Sequence, residues 1–325
     1  MIIKLFSQLM VAGMMLQFFP ADAGQVEQLA TLPDAPDRSF DLLEAYEFMS
    51  QLPQSSDVVT VPEKLDPNSL GVMTTAQSAV VMDRKSGEIL FEKNVTEPRA
   101  IGSITKLMTA YVFLQGNPDL NALAAIESVD YRAGGRLNFS IGDTVTVGDL
   151  LMASLVSSDN SATTSLVRLS GMSQGDFVAR MNEVAASIGM EHTTFADETG
   201  LSTKNQSVVT DLAIMLDHFL KNDTLRAFTQ VASTTVVGAS GRSYLLESTD
   251  ELLTTFVNQD PYKIELAKTG YLPEAGYCLS TVFSYNDDQE IIVVVLGSDS
   301  KIGRFQDVKS LAVWAYDTFS WTNVR

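Results

Sequence analysis

Ser103-Ile104-Thr105-Lys106, Ser158-Asp159-Asn160 and Lys268-Thr269-Gly270 constrain this fold more than any other feature of the chain. Each pattern is common alone, and only all three in this order carry the chemistry of an activated hydroxyl. Second copies exist at Ser298 to Lys301, Ser284-Tyr285-Asn286 and Lys85-Ser86-Gly87. These run in the reverse order, so they do not supply the set.

Local context separates the copies further. Ser103 and Lys106 are three apart, which places them on one face of a helix. Leu107, Met108, Tyr111, Val112 and Leu114 keep helical spacing and predict that this helix is buried. Ser103 then sits in the first turn, among unpaired N–H groups and the positive end of the helix dipole, with a lysine placed to take its proton. Ser298 follows the strand-like run Ile291 to Leu296 and leads into Gly303, so no helix is expected to begin there.

With 325 residues and 45% apolar content, the chain supports a sizeable core. Met1 to Lys4 gives a basic start, Leu5 to Phe19 an apolar segment and Ala21-Asp22-Ala23 a small-residue cleavage pattern. Residues 1–23 are therefore expected to be a signal peptide cleaved near Ala23/Gly24, leaving no stable membrane anchor. A formal charge of −18 sets nucleic-acid partners aside. Cys278, the single cysteine, lies in an apolar stretch and is expected to be a buried structural thiol. His192 and His218 lack cysteine partners for a zinc site, and no metal or cofactor is expected.

Residues 24–70 hold nine acidic and two basic residues and half of the chain's ten prolines, which predicts a spacer. Asp41 and Glu44 form a possible capping box for one helix within it. From Gly71 the composition turns globular, and residues 71–325 are expected to form the working domain. Ser78 to Asp83 and Glu88 to Glu92 read as strands joined by Arg84 to Gly87. The middle is helical, with a helix capped by Asp149 and running through Leu155, another over Asp176 to Ile188, and a third opening at Thr210 or Asp211. Ser158-Asp159-Asn160 falls in a break between helices. Tyr262 to Lys268, Tyr277 to Phe283 and Glu290 to Leu296 return to strands, with Asn286-Asp287-Asp288 as a hairpin, and Phe305 to Phe319 closes the chain as a helix. This order predicts an α/β fold of the α+β kind, with one antiparallel five-stranded sheet flanked by helices, an all-helical lobe and a cleft between the two.

From Gly71 to Trp321 the chain resembles the low-molecular-mass penicillin-binding proteins, the serine D-alanyl-D-alanine carboxypeptidases and endopeptidases of family S11. The resemblance rests on S-A-V-V-M-D-R-K-S-G-E-I-L-F-E-K-N, S-I-T-K-L-M-T-A, G-R-L-N-F-S-I-G-D-T-V-T-V-G-D-L-L, S-D-N, F-V-A-R-M-N, E-T-G-L-S and K-T-G-Y-L-P-E-A-G-Y-C-L. Two departures stand out: Gly102 replaces the alanine often found before the nucleophile, and Thr234 to Pro261 is hard to align. The resemblance implies that Ser103 attacks a D-Ala peptide carbonyl, with Lys106 as base. Burial and Lys268 are both expected to depress the Lys106 pKa. It further implies that Ser158 relays a proton to the leaving amine and that Asn160 holds Lys106 and the substrate amide. Lys268 and Thr269 would grip the substrate carboxylate, Gly270 would let the substrate strand approach, and the N–H groups of Ser103 and Tyr271 would form the oxyanion hole. Arg242 is either a second carboxylate contact or a surface arginine.

The implied partners are peptidoglycan peptides, with β-lactams as inhibitors, and the implied location is the periplasm. A class A-like β-lactamase is the nearest rival, but its deacylating glutamate would have to be Glu198 in E-T-G-L-S, where Ser202 replaces an asparagine. A non-catalytic wall-binding protein is a second rival, opposed by the intact set of reactive residues. The short chain without a second domain and the S-S-D-N stretch lean toward the endopeptidase branch.

Overall fold

A computed structural model describes residues 61–321, so the expectations for the leader and for the spacer helix at Asp41 lie outside the described residues. Five strands form the main sheet: β1 (Ser78–Asp83), β2 (Ile89–Lys93), β3 (Tyr262–Leu272), β4 (Gly276–Tyr285) and β5 (Gln289–Ser298). They lie in the order β3-β4-β5-β1-β2, and every neighbouring pair is antiparallel. Strand β3, which carries Lys268 to Gly270, is therefore an edge.

The apolar run of β5 is explained by the two faces it serves. Ile292, Val294 and Leu296 pack into the cluster shared with the helical lobe, while Ile291, Val293 and Val295 pack into a second cluster with Phe305, Val308, Leu311 and Ala315. A strand covered on both sides needs no polar alternation. The β4–β5 hairpin turns through Asn286 and Asp287, at φ +52° and +60°, where short polar side chains tolerate the left-handed region.

Seven helices are described: α1 (Thr105–Gln115), α2 (Val147–Leu155), α3 (Asn160–Leu169), α4 (Gln174–Ser187), α5 (Val209–Phe219), α6 (Asp223–Thr229) and α7 (Lys301–Thr318). Helix α1 is buried almost all round, from Thr105 to Ala110 and at Val112 and Phe113, so it forms the central post of the lobe. Its interior hydroxyl is satisfied, since Thr109 Oγ1 donates to the Glu198 carbonyl at 2.6 Å.

Three helix starts differ from the sequence reading. Thr146 is the cap of α2, and Asp149 is its reciprocal partner in a capping box. Ser173 caps α4, with Asp176 in the first turn. A helix does begin at Lys301, because the Ser300 hydroxyl accepts the Gly303 N–H at 2.9 Å. The second S-x-x-K is nevertheless split: Ser298 ends β5 and donates to Asp307, whereas Lys301 heads α7 and pairs with Glu251.

The Thr234 to Pro261 region holds a hairpin of Ser233–Val237 with Ser243–Glu247, followed by two short 3₁₀ turns. Ahead of Gly71, Glu63–Lys64 pairs with Phe319–Ser320, which ties the start of the described body to the end of α7.

Candidate active site

Ser103 stands in a 3₁₀ turn, Gly102–Ile104, that leads directly into α1. Lys106 lies one turn on, fully buried, and its Nζ has three partners. These are Ser103 Oγ at 3.0 Å, Asn160 Oδ1 at 2.6 Å and the Thr199 carbonyl at 2.6 Å. Two of the three are carbonyl oxygens, which can only accept. A neutral amine has two N–H groups and one lone pair, so with both N–H groups committed its lone pair faces the Ser103 hydroxyl.

Burial lowers the Lys106 pKa to about 7, against the opposing charges of Asp159, Asp197 and Glu198. The sequence reading assigned part of this shift to Lys268. That repulsion is mutual: Lys268 is itself lowered well below the usual lysine value, by burial first, then by Lys106 and Arg304. The Thr199 carbonyl is aimed by Asp197, whose carboxylate accepts the N–H groups of Thr199 at 2.6 Å, Gly200 at 2.7 Å and Ser202 at 2.5 Å.

Between α2 and α3, Ser158 adopts φ +59°, and its hydroxyl accepts from Lys268 Nζ at 3.0 Å. Asp159 caps α3 and also accepts the Asn138 N–H at 2.7 Å, which binds the Gly134 to Asn138 loop to the helix start. Asn160, the first residue of α3, has its amide oriented at both ends: Oδ1 takes Lys106 and Nδ2 donates to the Gly134 carbonyl at 2.7 Å.

The opposite wall is β3. Thr269 Oγ1 shares a 2.6 Å hydrogen bond with Thr249 Oγ1. The structure gives Gly270 a packing role in addition to the one the resemblance implies. A Cβ there would collide with the Ile101 carbonyl oxygen, so the glycine admits the nucleophile turn against the strand. Gly102 meets the same interface from the other side, at φ +54° and with room for a Cβ only 2.7 Å from the Tyr271 nitrogen. An alanine would therefore crowd Tyr271 at this position. Tyr271 is 47% exposed at the cleft lip and stacks on Tyr277, with ring centroids 4.4 Å apart.

A cavity of about 220 Å³ is lined by Ser103, Ser158, Thr249, Thr269, Tyr271 and Arg304, among others. Arg304 and Thr249 were missed in the sequence. Arg304, on α7, is buried and donates from Nη1 to the Gly270 carbonyl at 3.1 Å. Its signal was legible: residues 304, 308, 311 and 315 share the apolar stripe of α7, and an arginine there needs a reason. Arg242 lies on the hairpin turn, donates to the Ser140 hydroxyl and does not line this cavity.

A larger cavity, of about 300 Å³, holds Glu198 but none of the three patterns. The Glu198 carboxylate accepts from Thr164 Oγ1 at 3.1 Å and Gln174 Nε2 at 2.7 Å, and it faces away from the nucleophile's cleft. Cys278 is buried, and burial pushes its thiol up to about 11.

Residues 66–300 match the family described as D-alanyl-D-alanine carboxypeptidase, peptidase family S11. The D-alanyl-D-alanine endopeptidase of Haemophilus influenzae is 32% identical over 238 residues, which cover 72% of this chain and 80% of that protein. The crystal structure of the Streptomyces K15 DD-transpeptidase superposes with a TM-score of 0.70 at 26% identity, covering 76% of this chain and 99% of that one. Penicillin-binding protein D2 of Listeria monocytogenes, in its cefotaxime-bound form, gives 0.66 at 27% identity, covering 77% and 100%. With the family matched over most of its length and a relative 32% identical, the chain belongs to the S11 family of serine DD-peptidases.

Proposed function

We propose that the chain cleaves D-alanyl bonds in peptidoglycan stem peptides through an acyl-enzyme on Ser103, and that it favours the cross-link bond over the terminal D-Ala. The three contacts of Lys106 Nζ carry this reading, since they point a lone pair at the Ser103 proton. Lys106 takes that proton as Oγ bonds to the carbonyl carbon, and the oxyanion is held by the N–H groups of Ser103 and Tyr271. Collapse breaks the C–N bond, and the proton reaches the leaving amine by way of Ser158. Water then attacks the ester, gives its proton to Lys106 and returns Ser103 with release of the acid.

Lys268, Thr269 and Arg304 form the grip for the carboxylate of the leaving residue, with three cationic or donor groups converging beside Ser158. A β-lactam, which carries a comparable carboxylate, acylates the same serine; the β-lactam-bound form of the Listeria protein supports this.

The preference for the cross-link rests on the similarity to the Haemophilus endopeptidase and on the S-S-D-N stretch. Purified protein should convert cross-linked muropeptide dimers to monomers at least as fast as it trims pentapeptides to tetrapeptides. Release of D-Ala with dimers untouched would reverse the preference.

Export through residues 1–23, a spacer from residue 24 that ends before Glu63–Lys64 rather than at the expected residue 70, because Glu63–Lys64 pairs with Phe319–Ser320, and a periplasmic working domain beyond it complete the proposal. Among the described residues no helix is long and apolar enough to cross a membrane. N-terminal sequencing of the mature protein should begin near Gly24; a chain starting at Met1 would rule out cleavage.

A further inference from the structure

The carboxylate grip contains an anion of its own. Asp250 is buried directly behind Thr249, the residue bonded to Thr269, and its Oδ1 accepts the Leu252 N–H at 3.0 Å. Its Oδ2 is buried without a hydrogen-bond partner, and so is Nε of Arg304. Buried polar atoms left unpaired cost stability and are uncommon, and here two of opposite charge sign fall in one cluster beside the substrate cavity. The charged groups that face Asp250 are Arg304 from α7, Lys268 from β3 and Glu251 on its own turn; Glu251 is itself paired with Lys301. Arg304 is faced in turn by Tyr277 and Cys278.

We propose that Asp250 is the resident counter-anion of the grip: it balances Arg304 and Lys268 in the empty cleft and takes up a proton when a substrate carboxylate arrives there. Asp250 is thus a positioning residue, acting on substrate through the two cations. The inference rests on the reading that Lys268 and Arg304 bind the leaving residue's carboxylate.

The direction of the effect follows from charge. An incoming anion favours the neutral form of a neighbouring carboxyl, so binding draws in a proton and affinity rises as pH falls. Burial already pushes Asp250 up to about 6, with Arg304 and Lys268 opposing, so the exchange falls in an accessible range just above pH 6. Each unit by which the bound anion raises that value makes binding about tenfold tighter at the acid end of the range than at the alkaline end.

The test compares an N-acylated D-alanyl-D-alanine peptide with its C-terminal amide. Both use Ser103 and Lys106, so the ratio of their kcat/KM values cancels the chemistry and reports the grip. In the wild type this acid-to-amide ratio should rise about tenfold from pH 8 to pH 5.5. In Asp250→Asn, which keeps the acceptor for Leu252, the ratio should already be high at pH 8 and stay flat.

A flat wild-type ratio overturns the proposal. So does an Asp250→Asn variant that keeps the wild-type slope, because the titration would then belong to Lys268. Should that variant fold poorly, carboxyl-carbon NMR of the wild type decides: Asp250 should titrate near pH 6 in the free protein and higher after acylation by a penicillin, and an unchanged value overturns the idea. Cleavage of both peptides with a flat ratio defeats this inference alone. No cleavage and no ester on Ser103 defeats the proposed function, and this inference falls with it.

Discussion

The two walls of the cleft are built on opposite terms. On the helical side, every polar atom of the reacting group is committed before substrate arrives: Lys106 has three partners, Asn160 is bonded at both ends of its amide, and Asp197 fixes the Thr199 carbonyl. On the sheet side, two cations lie close together with one carboxylate, and two buried polar atoms have no partner. The difference separates labour. The helical wall fixes the reacting group in advance, although the Ser157 hydroxyl lining the cavity is also unpaired, whereas the sheet wall gathers the cations that a substrate anion would complete.

The largest test of that division is Ser103→Ala, which should remove fluorescent-penicillin labelling and lower peptide cleavage by at least about 10³-fold while cooperative unfolding is retained. Labelling that persists on another residue would break the assignment of the helical wall. Lys106→Ala should cost about 10² to 10⁴ in kcat/KM by removing the base. A wild-type rate at neutral pH would make Lys106 structural only.

Next in size is the pH profile. Only neutral Lys106 can take the Ser103 proton, and burial lowers its pKa to about 7 in the free protein, so kcat/KM should fall as pH drops below about 7, approaching tenfold per unit. A stopped-flow acylation profile with its acid limb below pH 5 would place the base elsewhere.

On the sheet wall, Arg304→Ala should raise KM for a carboxylate-ended peptide by roughly 10- to 100-fold, with a smaller change for the amide and in kcat; partial rescue by Arg304→Lys would sharpen the point. A collapse of kcat at constant KM would erase the boundary between the walls. Smallest of all, Arg242→Ala should leave both constants within about twofold, since this exposed residue touches neither wall. A KM effect as large as that of Arg304→Ala would extend the grip to the hairpin.

How much of this was legible follows the same division. The helical wall reads from sequence because its parts lie within short spans: Ser103 and Lys106 within one turn, and Ser158 to Asn160 within one interhelical break. The strands of β1, β4 and β5 read well, because apolar runs between turn residues leave little choice. The sheet wall reads poorly. Arg304 lies far along the chain from Gly270 and joins it only by the packing of α7, and Thr249 and Asp250 come from a segment with no strong period. Helix starts were misplaced wherever an adjacent serine or threonine supplied the cap, as Ser300 does for α7. The packing of Gly270 against Ile101 was not legible, because a close backbone approach leaves no mark on the residue it accommodates.

One backbone angle has a consequence for which sequences can occupy the site. Ser158 holds its hydroxyl on Lys268 from a left-handed conformation, at φ +59°, which costs about 1 to 2 kcal/mol for a residue with a Cβ. Threonine keeps the hydroxyl, but its branched Cβ fits that region worse still. Glycine fits the angle and loses the hydroxyl. Neither substitution therefore keeps both the turn and the hydroxyl contact with Lys268 that serine provides.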